Sequence, residues 1–164
     1  MPVQRVNPPA VHSPSGMVSQ VVTTDGERLA HLSGQVAWDA DGRLVGPGDH
    51  EAQATQIARN IEAALAAVGA TRHDIIKETV YVVDYRPALL PAIFGPLRAG
   101  IRQAPASTLV GVPALFAPEY LLEVDVVAAL PAARAVRVPT GENALRPVPA
   151  TGNRPAGAES DREN

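Results

Sequence analysis

The sequence predicts an α+β fold, a sandwich in which two helices pack on one face of a single mixed sheet. Three observations carry this. Runs rich in β-branched residues, among them MVSQVVTT (17–24) and IIKETVYVVD (75–84), read as strands. Two other stretches repeat apolar residues at helical spacing. In sequence the elements alternate as β-β-α-β-α-β-β, and helices with one apolar face each must share one side of a sheet.

Taken in order, residues 1–16 hold four prolines and little periodicity, and are expected to form an irregular arm. Residues 17–24 form the first strand, Asp25-Gly26 is a hairpin-turn signal, and RLAHLSG (28–34) reads as the returning strand. Glycines and Pro47 make residues 35–48 a long loop, with a short strand expected at Val36-Ala37-Trp38. The first helix spans residues 49–68: Ile57, Ile61, Leu65 and Val68 mark its apolar stripe, Asp49 can cap its start and Gly69 its end. After the strand at 75–84, Leu90, Ile93, Phe94, Leu97 and Ile101 mark a second helix. Pro91 and Pro96 cut into it, so it should start late or kink. Strands at 107–112 and 120–130 close the domain. The other sheet face still carries apolar residues such as Leu32, Val82 and Val110, or their alternates, and a domain this small usually hides such a face by oligomerising. The domain therefore runs over 17–130. The Pro-, Ala- and Arg-rich residues 131–164 read as a flexible tail.

Composition narrows the function. A net charge of −3, with no stretch of clustered Lys and Arg, gives no electrostatic footprint for nucleic acid, and aromatics at 4% supply few stacking platforms. The chain has no cysteine, which removes disulfides, thiolate metal sites and cysteine nucleophiles. His12, His50 and His73 stand singly, without partners at metal-ligand spacing, so no metal is expected. Gly46-Pro47-Gly48 lacks the pattern of a phosphate loop. The first residues lack the apolar run of a signal peptide and no segment is long and apolar enough to span a membrane, so a cytoplasmic protein without membrane partners is expected.

The chemistry concentrates in the last strand, LLEVDVVAAL. Alternation points Glu123 and Asp125 one way and Leu122, Val124 and Val126 the other. Two carboxylates on one face of a largely apolar strand are costly unless paired, solvated or used.

Several ordered motifs resemble the Rid (YjgF-type, reactive intermediate deaminase) family over residues 17–130. His31-Leu32-Ser33-Gly34-Gln35 is similar to its strand-end SGQ motif. Gln53, Asn60, Leu65 and Ala67-Val68-Gly69-Ala70 resemble its helix signature, and Ile76-Lys77-Glu78-Thr79-Val80-Tyr81 its third strand. Pro105-Ala106-Ser107-Thr108 and Leu122-Glu123-Val124-Asp125 resemble its closing strands. The resemblance implies a chorismate-mutase-like fold, a homotrimer whose sheets form a barrel, and ligand clefts between subunits. It also implies cofactor-free hydrolysis of enamine or imine intermediates such as 2-aminoacrylate, with an arginine holding the substrate carboxylate and a glutamate acting on water.

Residue by residue, Ser33 matches the family's cleft serine and Glu123 its glutamate. The arginine is replaced by Ser107, a family tyrosine falls at Val18, and an asparagine falls at or near Pro91. A hydroxyl cannot stand in for a fixed positive charge, so the expected substrate is a small molecule other than a simple α-imino acid. Glu123 is a candidate general base, set against a structural ion pair or a solvated cleft carboxylate. Asp125 reads as its structural or interface neighbour. His31 is a candidate proton shuttle, set against a histidine merely hydrogen-bonded in place. Ser33 and Ser107 are candidate substrate-binding residues, and Arg98 and Arg102 are candidates to replace the missing clamp, set against solvent-facing charges. Two other readings stand beside a Rid-like hydrolase: a non-catalytic small-molecule-binding or regulatory trimer, and a tailoring enzyme of a specialised pathway.

Overall fold

The structure is a computed structural model and describes residues 3–7, 19, 21–24, 26 and 28–130. Eight regular elements follow one another: β1 (Gln4–Val6), β2 (Val21–Thr23), β3 (Leu29–Gln35), α1 (His50–Ala67), β4 (Ile75–Val83), α2 (Leu90–Arg98), β5 (Ala106–Val112) and β6 (Leu122–Ala129). Short 3-10 turns at Arg72–Asp74 and Pro87–Leu89 lead into β4 and α2. A four-stranded sheet has the order β3-β6-β4-β5; β4 and β5 run parallel and the other neighbours antiparallel. The α+β prediction and the mixed sheet hold.

Two expectations at the N-terminus do not. Gln4–Val6 is a strand rather than irregular arm, and it pairs with β2 in a separate antiparallel ribbon. No ladder joins β2 to β3 among the described residues, although Gly26 has the positive φ a tight turn requires. The proline-free run between Pro2 and Pro8 is too short for periodicity to reveal. What fixes it is a tertiary contact: Arg5 donates to the carbonyls of His73 and Ile75, at 2.8 and 2.9 Å. The tail from 131 onward lies outside the described residues.

Helix α1 falls where its end signals put it. Asp49 accepts from the N–H groups of Glu51 and Ala52. Beyond the last turn Gly69 takes φ +75° and the Ala70 N–H closes on the Leu65 carbonyl. In α2, Pro91 occupies the first turn, where no N–H is needed, and the helix stops at Arg98, short of Ile101. Ile57, Ile61 and Leu65 from α1 and Ile93 and Leu97 from α2 bury against Val80, Val82, Leu122, Val124 and Val126 of the sheet. Leu32 and Val82 thus belong to the helix-covered face, and Val110 alone of the three apolar residues suggested for the open face stays exposed, at 37%.

Polar residues of α1 fix the loops. Asn60 donates to the carbonyls of Val36 and Trp38, and in place of a short strand Trp38 makes one isolated bridge to Leu44. Gln53 is fully buried. Its amide donates to the carbonyls of Gly46 and Glu119 and accepts from the Leu121 N–H, so each polar atom of its side chain is used.

Candidate functional site

Alternation along β6 sends Leu122, Val124 and Val126 into the core and leaves Glu123 and Asp125 on the open face. Glu123 lies opposite Tyr81 of β4, and Asp125 opposite Thr79. The Tyr81 hydroxyl donates to Asp125 Oδ2 at 3.2 Å. That hydrogen bond, with the charge of Asp125 behind it, raises the Tyr81 pKa. Glu123 is also pushed above the usual carboxylate range, first by desolvation and then by the neighbouring Asp125 charge.

On its other side Glu123 meets β3, where the register shifts by one residue between Leu32 and Gln35. Gly34 sits in this bulge. A Cβ there would come within 1.8 Å of Glu123 Oε1, so the absence of a side chain is what gives the carboxylate its place. Ser33 is exposed in the same bulge, its carbonyl accepting from the Gln35 side chain at 2.8 Å. His31 is exposed and pairs with Val127, four residues along β6 from Glu123 and therefore ~13 Å away. Glu123, Ser33 and His31 thus lie on the open side of neighbouring strands, yet no hydrogen bond links them among the described residues.

Ser107 and Arg98 are brought together elsewhere. Ser107 pairs with Glu78 in the β4–β5 ladder, on the parity that faces the helices. Glu78 is 3% exposed. The Arg98 guanidinium binds both its oxygens, with Nη1 donating to Oε2 at 3.1 Å and Nη2 to Oε1, while Ser107 Oγ donates to Oε1 at 2.6 Å. Arg98 also lies over the Phe94 ring, 4.8 Å from its centroid. Neither Ser107 nor Arg98 shares the open face with Glu123. Arg98 is not a solvent-facing charge either; it partners a buried carboxylate. The sequence signal for this was Glu78 itself, in phase with buried Val80 and Val82, a position that demands a cation.

Arg102 is exposed in the loop between α2 and β5. With Arg5, His73 and Gln103 it lines a cavity of about 400 Å³ at the end where β4 begins. Glu123 pairs with the later part of β4, so Arg102 stands apart from it. Among the described residues no group of three or more His, Cys, Asp or Glu is placed to hold a metal ion, and no helix is long and apolar enough to cross a membrane.

Two helices over one face of a mixed sheet, with a glycine bulge set against a strand glutamate, define a small α+β protein of the YjgF type. The profile of the family described as Endoribonuclease L-PSP matches residues 10–130, and the chain belongs to that family, which includes the YjgF/Rid proteins. A RutC family protein of Synechocystis is 32% identical over 131 residues, covering 79% of this chain and 95% of the relative. Among solved structures, the Rid family protein YyfB from Yersinia pestis is 37% identical with a TM-score of 0.73, covering 79% of this chain and all of that one. RidA from an Antarctic Psychrobacter, 24% identical with a TM-score of 0.56 over 77% of this chain and 99% of its own, shares the fold.

Proposed function

We propose that the protein is a Rid-type hydrolase acting on a small enamine or imine at clefts formed between three copies of the chain, without a cofactor. One observation carries the reading: Glu123 is a partly desolvated carboxylate whose pKa is raised and whose position depends on Gly34. A carboxylate with a raised pKa is a better base toward water than an ordinary one, once it is ionised. Ser33, in the same bulge, is the hydrogen-bonding anchor, and His31 the more distant acid.

The substrate is not a simple α-imino acid. The residue at the arginine position, Ser107, is a hydroxyl turned toward the helices and occupied by Glu78, and Arg98 is occupied by the same carboxylate. Neither supports a role as carboxylate clamp beside Glu123. The net charge of −3 gives no support to RNA cleavage, whatever the family's description. This same occupation of Arg98 and Ser107 favours a second reading, a binding trimer that kept the cleft and lost the chemistry.

Ammonia release from a panel of enamines and imines, including enzymatically generated 2-aminoacrylate, separates the two. The hydrolase reading expects turnover of neutral or bulkier substrates, reduced at least about 100-fold by Glu123→Gln. Turnover indifferent to that substitution would defeat it. Ligand binding without turnover in both forms would favour the binding reading over the hydrolase.

A further inference from the structure

We infer that the cavity between β1, the turn at Arg72–Asp74 and the α2–β5 loop is a binding site for a phosphate group carried by a small molecule. The cavity measures about 400 Å³ and is lined by Arg5, His73, Arg102 and Gln103. Residues that carry two guanidinium groups, an imidazole and an amide, drawn from three separate parts of the chain, therefore line one cavity.

What these side chains do within the protein leaves them available. Arg5 spends Nη2 on the His73 and Ile75 carbonyls, which anchors the group, and its Nε is buried with no hydrogen-bond partner among the described residues. A buried donor left without an acceptor is costly unless something supplies one. No hydrogen bond or ion pair engages the side chains of His73, Arg102 or Gln103 among the described residues. Asp74 is the acid near Arg5, but its carboxylate already accepts from the Thr71 N–H and hydroxyl, at 2.7 and 2.9 Å. Partial burial lowers the Arg5 pKa despite the Asp74 charge, in keeping with a cation partly withdrawn from water.

The chemistry selects a tetrahedral, multiply charged anion. Arginine forks match phosphate oxygens in paired hydrogen bonds, and one carboxylate would leave part of this donor set unused. The volume exceeds that of inorganic phosphate and falls within the range of small-molecule pockets. The site lies at the opposite end of β4 from the residue paired with Glu123, so it stands or falls separately from the proposed hydrolysis.

Isothermal titration calorimetry of the full chain at fixed ionic strength tests this, with inorganic phosphate, glycerol phosphate and acetate as probes. The expected result is saturable binding of one phosphate probe per chain, with acetate at least about tenfold weaker. His73→Gln and Arg102→Gln, both at exposed positions, should each weaken phosphate about tenfold with unchanged melting temperature. Arg59→Gln, in the groove between the helices, should leave binding unaltered. Glycerol phosphate binding more tightly than inorganic phosphate supports a phosphorylated small molecule. Inorganic phosphate binding better would overturn that part. Absence of saturation, acetate binding as well as phosphate, or variants that bind like the parent would overturn the site itself.

Discussion

Glu78 occupies a strand position whose neighbours in phase, Val80 and Val82, are fully buried. Its charge is sustained by Arg98 and Ser107 from two other elements. Breaking such a pair strands a charge, whereas replacing both partners by apolar residues removes the problem. Arg98→Met should therefore cost about 3–5 kcal/mol in urea unfolding, and the Glu78→Met/Arg98→Met double variant clearly less. Glu123 offers a second test at this scale, with the opposite sign. Its raised pKa means the folded chain binds a proton more tightly than the unfolded one. The strain is absent in acid, where both states are protonated, and stability is lost as pH rises from the ordinary glutamate pKa through the raised one. Glu123→Gln should thus stabilise the fold near neutral pH but not near about pH 3, by a few tenths of a kcal/mol once solvent screening is allowed for, read as a higher melting temperature at neutral pH only.

At the scale of elements, the β3 bulge and β6 make one unit through the contact of Gly34 with Glu123. Gly34→Ala forces only the flexible end of a side chain to move. It should lower turnover sharply while unfolding measurements change little, which separates placement of the carboxylate from integrity of the strand. Helix α1 was legible because Asp49 and Gly69 bracket a regular apolar stripe. The faces of β5 were not. Leu109 and Val110 are both apolar, so alternation alone does not say which side Ser107 takes, and the pairing with Glu78 decides it. For β1, three residues carry no period, and the tie from Arg5 to β4 is a contact across 70 residues. The grouping of Arg5 with Arg102 depends on that tie and was invisible for the same reason.

For the molecule as a whole, the open sheet face is the surface left over once the helices are packed. It bears Glu123, Asp125, Tyr81 and Lys77 with Val110 exposed beside them. The proposed trimer would close this face. Light scattering should then give three times the 17.1 kDa of one chain. Val110→Asp, which places a third acid opposite Tyr81, should yield monomers that melt as separate folded units. A parent protein that is monomeric at micromolar concentration would remove both the trimer and the clefts.

The buried amide of Gln53 has a consequence beyond holding loops. It grips the chain at Glu119 and Leu121, immediately before β6 begins. In a strand, moving one residue along exchanges the two sides. Were the chain to enter β6 one step late, Glu123 and Asp125 would turn toward the helices and Leu122 and Val124 toward the open face. Gln53 thus works as an index pin: a side chain in the first helix sets the phase of the last strand, and with it the direction in which both carboxylates point.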